Sequence, residues 1–363
     1  MFLSIRDLRF AKGRFALMGG VVALITLLLV LLSGLTAGLG NQSTSAIAAL
    51  PADQVVFGGP AGSAPEASFT ASEITPAQLA GWAARDGVDR ADPLGISQGR
   101  LQALGSGSAP SGTASVAVFG VTADLAPSPV ADGTVVVGDG TAGDVGLDVG
   151  SRVSIGGTAF TVAAVVPDQW YSHTGVVWTT LSDWRKLAHL AGRDAVATVA
   201  AVRFDEGAAV DTGAANAAVG TVSTSLEGSF QALGSYRSEH GSLLLMQAFL
   251  YGISALVIVA FLTVWTVQRT RDIAVLKAMG SSPGYVLKDA MVQAAVVLSA
   301  GAGAGGAAGV AGGLLAAGAA PFLTSVQTTL LPVAGVIALG LAGAALAVRG
   351  VTRVDPLLAL GGN

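Results

Sequence analysis

The residues able to do chemistry are few. The chain has no cysteine, 3 histidines and 5 methionines among 363 residues. Four groups gather in one short stretch: Tyr236, Glu239, His240 and Met246. If that stretch is helical, Glu239 and Met246 lie two turns apart and share a face. His240, four residues before Leu244, faces elsewhere. A phenol, a carboxylate, an imidazole and a thioether so placed could hold a ligand. Tyr and His at a membrane boundary also serve as plain anchors, and Met in an apolar run as packing. Residue type alone leaves both readings open. His173 and His189 stand apart, and Trp170-Tyr171-Ser172-His173 reads as a loop with packed aromatics or as a stretch that contacts a ligand.

No enzyme signature accompanies these groups. H-E-x-x-H, G-x-S-x-G, a Cys/His cluster and a G-x-x-x-x-G-K-[ST] phosphate loop are all absent from the sequence. Gly280–Lys288 has glycines and a lysine at the wrong spacing for such a loop. The chain therefore carries no catalytic residues, intrinsic cofactor or nucleotide site of its own. Any ATP that drives it is bound by another polypeptide. No ionisable group lies in the middle of an apolar run, which weighs against a proton- or ion-coupled transporter.

The elements that must position the cluster follow from charge and hydropathy. The chain is 52% hydrophobic and 12% charged, with mean hydropathy +0.66. A soluble domain carries about twice that charge. No Asp, Glu, Lys or Arg lies between Arg14 and Asp53, between Glu239 and Arg269, or between Asp289 and Arg349. Each gap exceeds the ~20 residues that cross a bilayer. The last is long enough for two spans, divided by polar residues 324–329 between Pro321 and Pro332. The expected fold is a membrane α-helical protein with four transmembrane helices, at 15–40, 241–268, 290–320 and 331–349, and an α+β extracytoplasmic domain at 41–240 between helices 1 and 2. The first apolar run is too long for a signal-peptide core and reads as an uncleaved anchor.

Orientation follows from the positive-inside rule. Arg6, Arg9, Lys12 and Arg14 precede the first span, and Arg269, Arg271, Lys277 and Lys288 lie between the second and third. Arg349 and Arg353 follow the fourth. Residues 41–240 hold 9 Lys/Arg against 19 Asp/Glu, a net of −10, and the rest nets +6. Both termini are expected in the cytoplasm, with residues 1–14 as a basic amphipathic helix or a plain positive flank. Residues 350–363 form a cytoplasmic tail.

Within 41–240, Pro76–Ala84 after Thr75 reads as a capped helix. Ser115–Val121, Val176–Thr180 and Ala195–Phe204 read as strands. Arg152–Val166 reads as a hairpin turning at Gly156-Gly157. Leu181–Ala191 and Gly207–Leu226 read as helices, and Gly105–Gly112 as a surface loop. Gly301, Gly305, Gly309 and Gly313 recur every fourth residue, as do Gly34 and Gly38. Such ridges let helices approach closely in lipid.

After the second span, Ile273, Leu276 and Met279 recur at helical spacing before Gly280, an amphipathic segment suited to a groove on a partner. The stretch Arg269–Ser282 (RTRDIAVLKAMGSS) resembles the signature of the FtsX-like (MacB/DevC-type) permeases of ABC transporters. Arg353–Leu360 (RVDPLLAL) resembles that family's closing element. The resemblance implies a homodimer of permeases in the plasma membrane with two separate ABC ATPase subunits. It implies ATPase coupling through Arg271, Ile273, Leu276, Lys277, Met279 and Gly280 in a cytoplasmic segment, 269–289. It also implies mechanotransmission, in which ATP-driven closure inside moves the outer domain. Gly146–Val166 with Asp183-Trp184 resembles the core of the family's outer domain.

Residues 35–53 and Tyr236–Met246 further resemble haem-exporter permeases of Gram-positive bacteria. Haem iron takes His, Met, Tyr or Cys ligands. The resemblance makes haem the expected substrate and Glu239, His240 and Met246 its candidate iron ligands, with no other metal site. The alternative is a non-transporting transducer that regulates a cell-wall hydrolase or sensor kinase. Nucleic acid is no expected partner; membrane lipid is.

Overall fold

In the computed structural model, residues 12–60, 62–104, 112–190, 194–268, 283–316, 318 and 320–352 are described. Contacts divide the chain into two compact units: Met1–Leu39 with His240–Asn363, and Gly40–Glu239. The expected fold class holds. Among the described residues, four helices are long and apolar enough to cross a membrane, over Phe15–Ala48, Gly234–Val264, Leu287–Ala316 and Val326–Ala347. The α+β domain is inserted between the first two.

The inserted unit is built on one sheet. Its strands are β1 (Gln54–Phe57), β2 (Val88–Ala103), β3 (Thr113–Val121), β4 (Thr134–Gly138), β5 (Arg152–Ile155), β6 (Thr158–Val166), β7 (Trp170–Tyr171), β8 (Thr174–Thr180), β9 (Val199–Phe204) and β10 (Val222–Ser225). The order is β10-β1-β9-β2-β3-β8-β4-β6-β5, with β7 paired to β8. β2 pairs β9 through Val88–Leu94, β3 through Gly95–Gln102 and β5 through Leu101–Ala103. That last pairing closes β2-β3-β8-β4-β6-β5 into a ring.

Successive residues of the ring strands enter two different cores, because side chains alternate across a strand. Val116 and Val118 of β3, Val135 and Val137 of β4 and Val177 of β8 fill one core with Leu101, Val153 and Phe160. Ala117, Phe119, Val136, Val176 and Trp178 fill the other with Phe57, Phe69 and Tyr171. Strands buried on both faces read as continuous β-branched runs.

Short helices close the faces. Pro76–Ala83 carries a full capping box: Thr75 Oγ1 accepts from the Gln78 N–H and Gln78 Oε1 accepts from the Thr75 N–H. Its Trp82 is buried with Val56, Ile74 and Val202. In Leu181–Leu187, Trp184 lies over Gly95 and Gly120, cross-strand partners on β2 and β3. A Cβ at either glycine would collide with the indole, whose Nε1–H donates to Ser97 Oγ at 3.1 Å.

The expected hairpin and the strands at 115–121 and 176–180 are present. The expected helix over Gly207–Leu226 is not. A helix spans only Thr212–Val219, Gly220 ends it at φ 65°, and Val222–Ser225 pairs with β1. The helix expected over Leu181–Ala191 stops at Leu187, and the strand expected from Ala195 begins at Val199. β2 was not expected, because Asp89, Arg90, Asp92 and Pro93 hide its pattern. Most of the loop expected at Gly105–Gly112 and most of the N-terminal segment 1–14 lie outside the described residues.

The membrane unit packs its helices through glycine. Its helices are the inner part of Lys12–Ala48, most of Gly234–Gln268, then Pro283–Ala316 and Val326–Thr352. A Cβ at Gly301 would stand 2.7 Å from the Gly19 carbonyl oxygen, and one at Gly309 would stand 2.8 Å from Val30. One at Gly305 would strike the Ala23 backbone. Three glycines of the expected ridge, Gly301, Gly305 and Gly309, thus press on the first helix, and the fourth, Gly313, meets the Phe322 ring. Gly34 meets the Phe322 ring and Gly38 the Pro321 carbonyl, so that pair receives the link before the fourth helix. The fourth helix starts at Val326, before Pro332, where Ser325 and Thr328 cap each other.

Candidate functional site

The site is built around a two-residue turn. Between β7 and β8, Ser172 and His173 have φ of 50° and 64°, and Tyr171 pairs with Thr174. Two left-handed residues in a two-residue hairpin make a type I′ turn, whose usual residues are Asn-Gly. Each non-glycine in this region costs about 1–2 kcal/mol. The turn binds the outer end of the Lys12–Ala48 helix. The Ser172 N–H donates to Ser43 O at 3.0 Å and the His173 N–H to Gln42 O at 2.9 Å. The Trp170 N–H donates to Ser45 Oγ at 2.9 Å. Buried Tyr171 anchors the strand, its ring edge-on to Phe69 and Phe119, and burial pushes its phenol well above the usual range.

The same turn holds the start of the Gly234–Gln268 helix. Ser172 Oγ lies 3.1 Å from Ser235 Oγ. His173 Nε2 lies 2.9 Å from Glu239 Oε2 and 3.1 Å from Ser43 Oγ. An ionised carboxylate only accepts, so Nε2 carries the proton and Ser43 shares it. Tyr236 is half-buried, its ring edge-on to Phe230 at 6.0 Å. It serves the core of the outer unit.

Of the expected cluster, then, the structure places Tyr236 in packing and pairs Glu239 with His173. His240 follows Glu239, half-buried, as the first residue of the membrane unit. Met246 is two turns beyond Glu239 on the same helix, 49% exposed in an apolar stretch with Leu244, Leu245 and Phe249. The coupling residues Arg271, Ile273, Leu276, Lys277, Met279 and Gly280 lie outside the described residues.

His173 was expected in a loop with packed aromatics or in contact with a ligand, with no partner named. Its partners lie 66 residues ahead and 130 residues behind. Nothing local in the sequence marks those pairings. A cavity of about 550 Å³ opens beside the turn, lined by Phe69, Glu73, Gln98, Ser172, Trp184 and Ser235 among others. No group of three metal-ligating side chains occurs among the described residues.

Comparison with known proteins fixes the family. The model of the MacB-like periplasmic core domain matches residues 15–219, and that of the FtsX-like permease C-terminal region matches residues 244–356. The chain belongs to the FtsX-like permeases of the MacB type. The permease is 24% identical over 220 residues to a protein of Staphylococcus epidermidis named hemin transport system permease protein HrtB. That match covers 60% of this chain and 61% of the relative, so the permease spans under two thirds of the relative's length. It is 33% identical over 135 residues to the protein of that name from Staphylococcus haemolyticus, covering 36% and 37% of the two chains. Among solved structures, the periplasmic region of MacB from Actinobacillus actinomycetemcomitans aligns at TM-score 0.35 and 11% identity. It covers 49% of this chain and 90% of that one.

Proposed function

We propose that this chain is the permease subunit of an ATP-driven exporter that extrudes haem or a similar amphiphile from the membrane by mechanotransmission. A separate ABC ATPase docks on Arg271–Gly280, the permease acts as a homodimer, and both termini are cytoplasmic. The observation that carries the reading is the Ser172-His173 turn. It grips the outer end of the Lys12–Ala48 helix and the first turns of the Gly234–Gln268 helix. Those helices have 37 and 35 residues, each about 52–55 Å at the α-helical rise, against ~30 Å of hydrocarbon. Displacement of one against the other loads the turn, and β8 carries that load into the sheet.

Haem is flat and largely apolar, and beside its usual His, Met, Tyr and Cys ligands its ferric iron also takes an anionic oxygen, such as a carboxylate at the head of an apolar span. Glu239 is that carboxylate, with Met246 further along as a second candidate and His240 as a third. The relatives named for hemin transport support the same substrate class. The grip would serve a non-transporting transducer equally well, regulating a cell-wall hydrolase or sensor kinase. The substrate separates the two.

The test is a titration of haemin into the purified full-length permease. Export predicts a saturable Soret shift that Glu239→Ala removes and Met246→Ala weakens. An unchanged spectrum for the native protein, with ATPase stimulation intact, would leave the transducer. Coupling has its own test. Leu276→Asp with Met279→Asp puts charge into an apolar docking face. It should abolish stimulation of the ATPase partner without loss of the permease from the membrane. Undiminished stimulation would exclude this segment as the coupling site.

A further inference from the structure

The type I′ turn would form at lower cost with Asn-Gly. Here Ser172 and His173 both stand at positive φ, and strain of this kind persists where a side chain is needed. His173 does what glycine could not. Its ring reaches Glu239 on one helix and Ser43 on another through one nitrogen. Ser43 is fully buried, so the nitrogen that reaches Glu239 is also held by a fixed hydroxyl of the first helix. The Gln42 and Ser43 carbonyls fix the turn's backbone as well.

From this geometry we infer that His173 is a positioning residue of the ligand site proposed above, and the inference rests on that reading. The His173 Nε2–H donates to Glu239 Oε2. No other partner of the Glu239 carboxylate is recorded among the described residues, which leaves Oε1 to meet the ligand. A ligating carboxylate is held in direction by such a second hydrogen bond, and losing one costs about 10–100-fold in metal affinity. Because Nε2 also contacts Ser43, the hold on Glu239 is tied to the first helix. His173, 66 residues from Glu239 in sequence, is the orienting donor.

The test uses the full-length permease and haemin, followed at the Soret band, with His173→Ala, His173→Gln and Glu239→Ala. Glutamine puts its amide Nε2–H at the same bond distance from Cα as the imidazole Nε2–H. We expect His173→Ala to weaken haemin binding about tenfold or more, and His173→Gln to stay within about threefold of native. Rescue by glutamine separates a positioning donor from a merely structural ring. Native affinity in His173→Ala would overturn the role of His173 while leaving Glu239 as ligand. So would His173→Gln as weak as His173→Ala. No Soret shift in the native protein would overturn the ligand reading of Glu239, and the role of His173 with it.

Discussion

His173 sets two quantities against each other. Its backbone at φ 64° costs about 1–2 kcal/mol, and its side-chain hydrogen bonds return a comparable amount. His173→Gly should therefore leave thermal stability within a few degrees of native while haemin affinity falls about tenfold. Calorimetry and Soret titration on one preparation measure both, and a fall in the melting point with affinity unchanged would contradict the account.

Asp183 is a second residue with a defined load. Its buried carboxylate accepts from the Gly133 N–H at 2.6 Å and from Lys186 Nζ at 2.7 Å. Burial alone would raise its pKa, but the hydrogen bonds from Lys186 and Gly133 outweigh it and hold the carboxyl below its usual value. A lowered folded pKa gives stability that is complete above the unfolded value, about 3.9. It is lost as pH falls through the folded one. Asp183→Asn should flatten the acid limb of stability against pH between about 5 and 2 and cost about 1–3 kcal/mol at neutral pH. Thermal melts across that range are the measurement, and an acid limb as steep as native would refute it.

At the scale of elements, the glycine ridge makes a directional prediction. In Pro283–Ala316, Gly301, Gly305 and Gly309 are buried while Gly303 is exposed, with nothing within 4 Å of its Cβ position. Gly305→Leu would drive its side chain into the Ala23 backbone, and overpacking of this kind costs about 1–3 kcal/mol or more. Gly303→Leu should cost almost nothing. Detergent thermal stability of the two variants should separate clearly, and equal melting points would show that the ridge does not bear on the first helix. The spacing of these glycines was legible in the sequence, as was the Gly156-Gly157 hairpin. β2 was not, since its 16 residues change partners midway and so show no single alternation.

For the whole molecule, topology is the testable property. The absence of cysteine makes single-cysteine labelling clean. Glu206→Cys, exposed in the inserted domain, should react with a membrane-impermeant thiol reagent on intact cells. Ser281→Cys, in the segment after the second span, should react only after the membrane is opened. The reverse pattern would invert the topology argued from Lys and Arg. The charge split of −10 for residues 41–240 against +6 elsewhere predicts the first outcome.

The sequence by itself determined whatever depends on neighbours along the chain. Apolar length set the four spans, Lys and Arg set the expected orientation, and a four-residue glycine period marked the helix contact. The N-cap at Thr75 was legible for the same reason, and the structure added the reciprocal bond from Gln78. Only the tertiary structure decided what depends on chain returns. It showed that β2 closes a ring with β5, that Val222–Ser225 is a strand, and that the Tyr236 ring lies edge-on to Phe230. Above all it brought His173 to Glu239 and Ser43. Pairing across 66 and 130 residues is fixed by sheet register and helix docking, and no periodicity in the sequence encodes either.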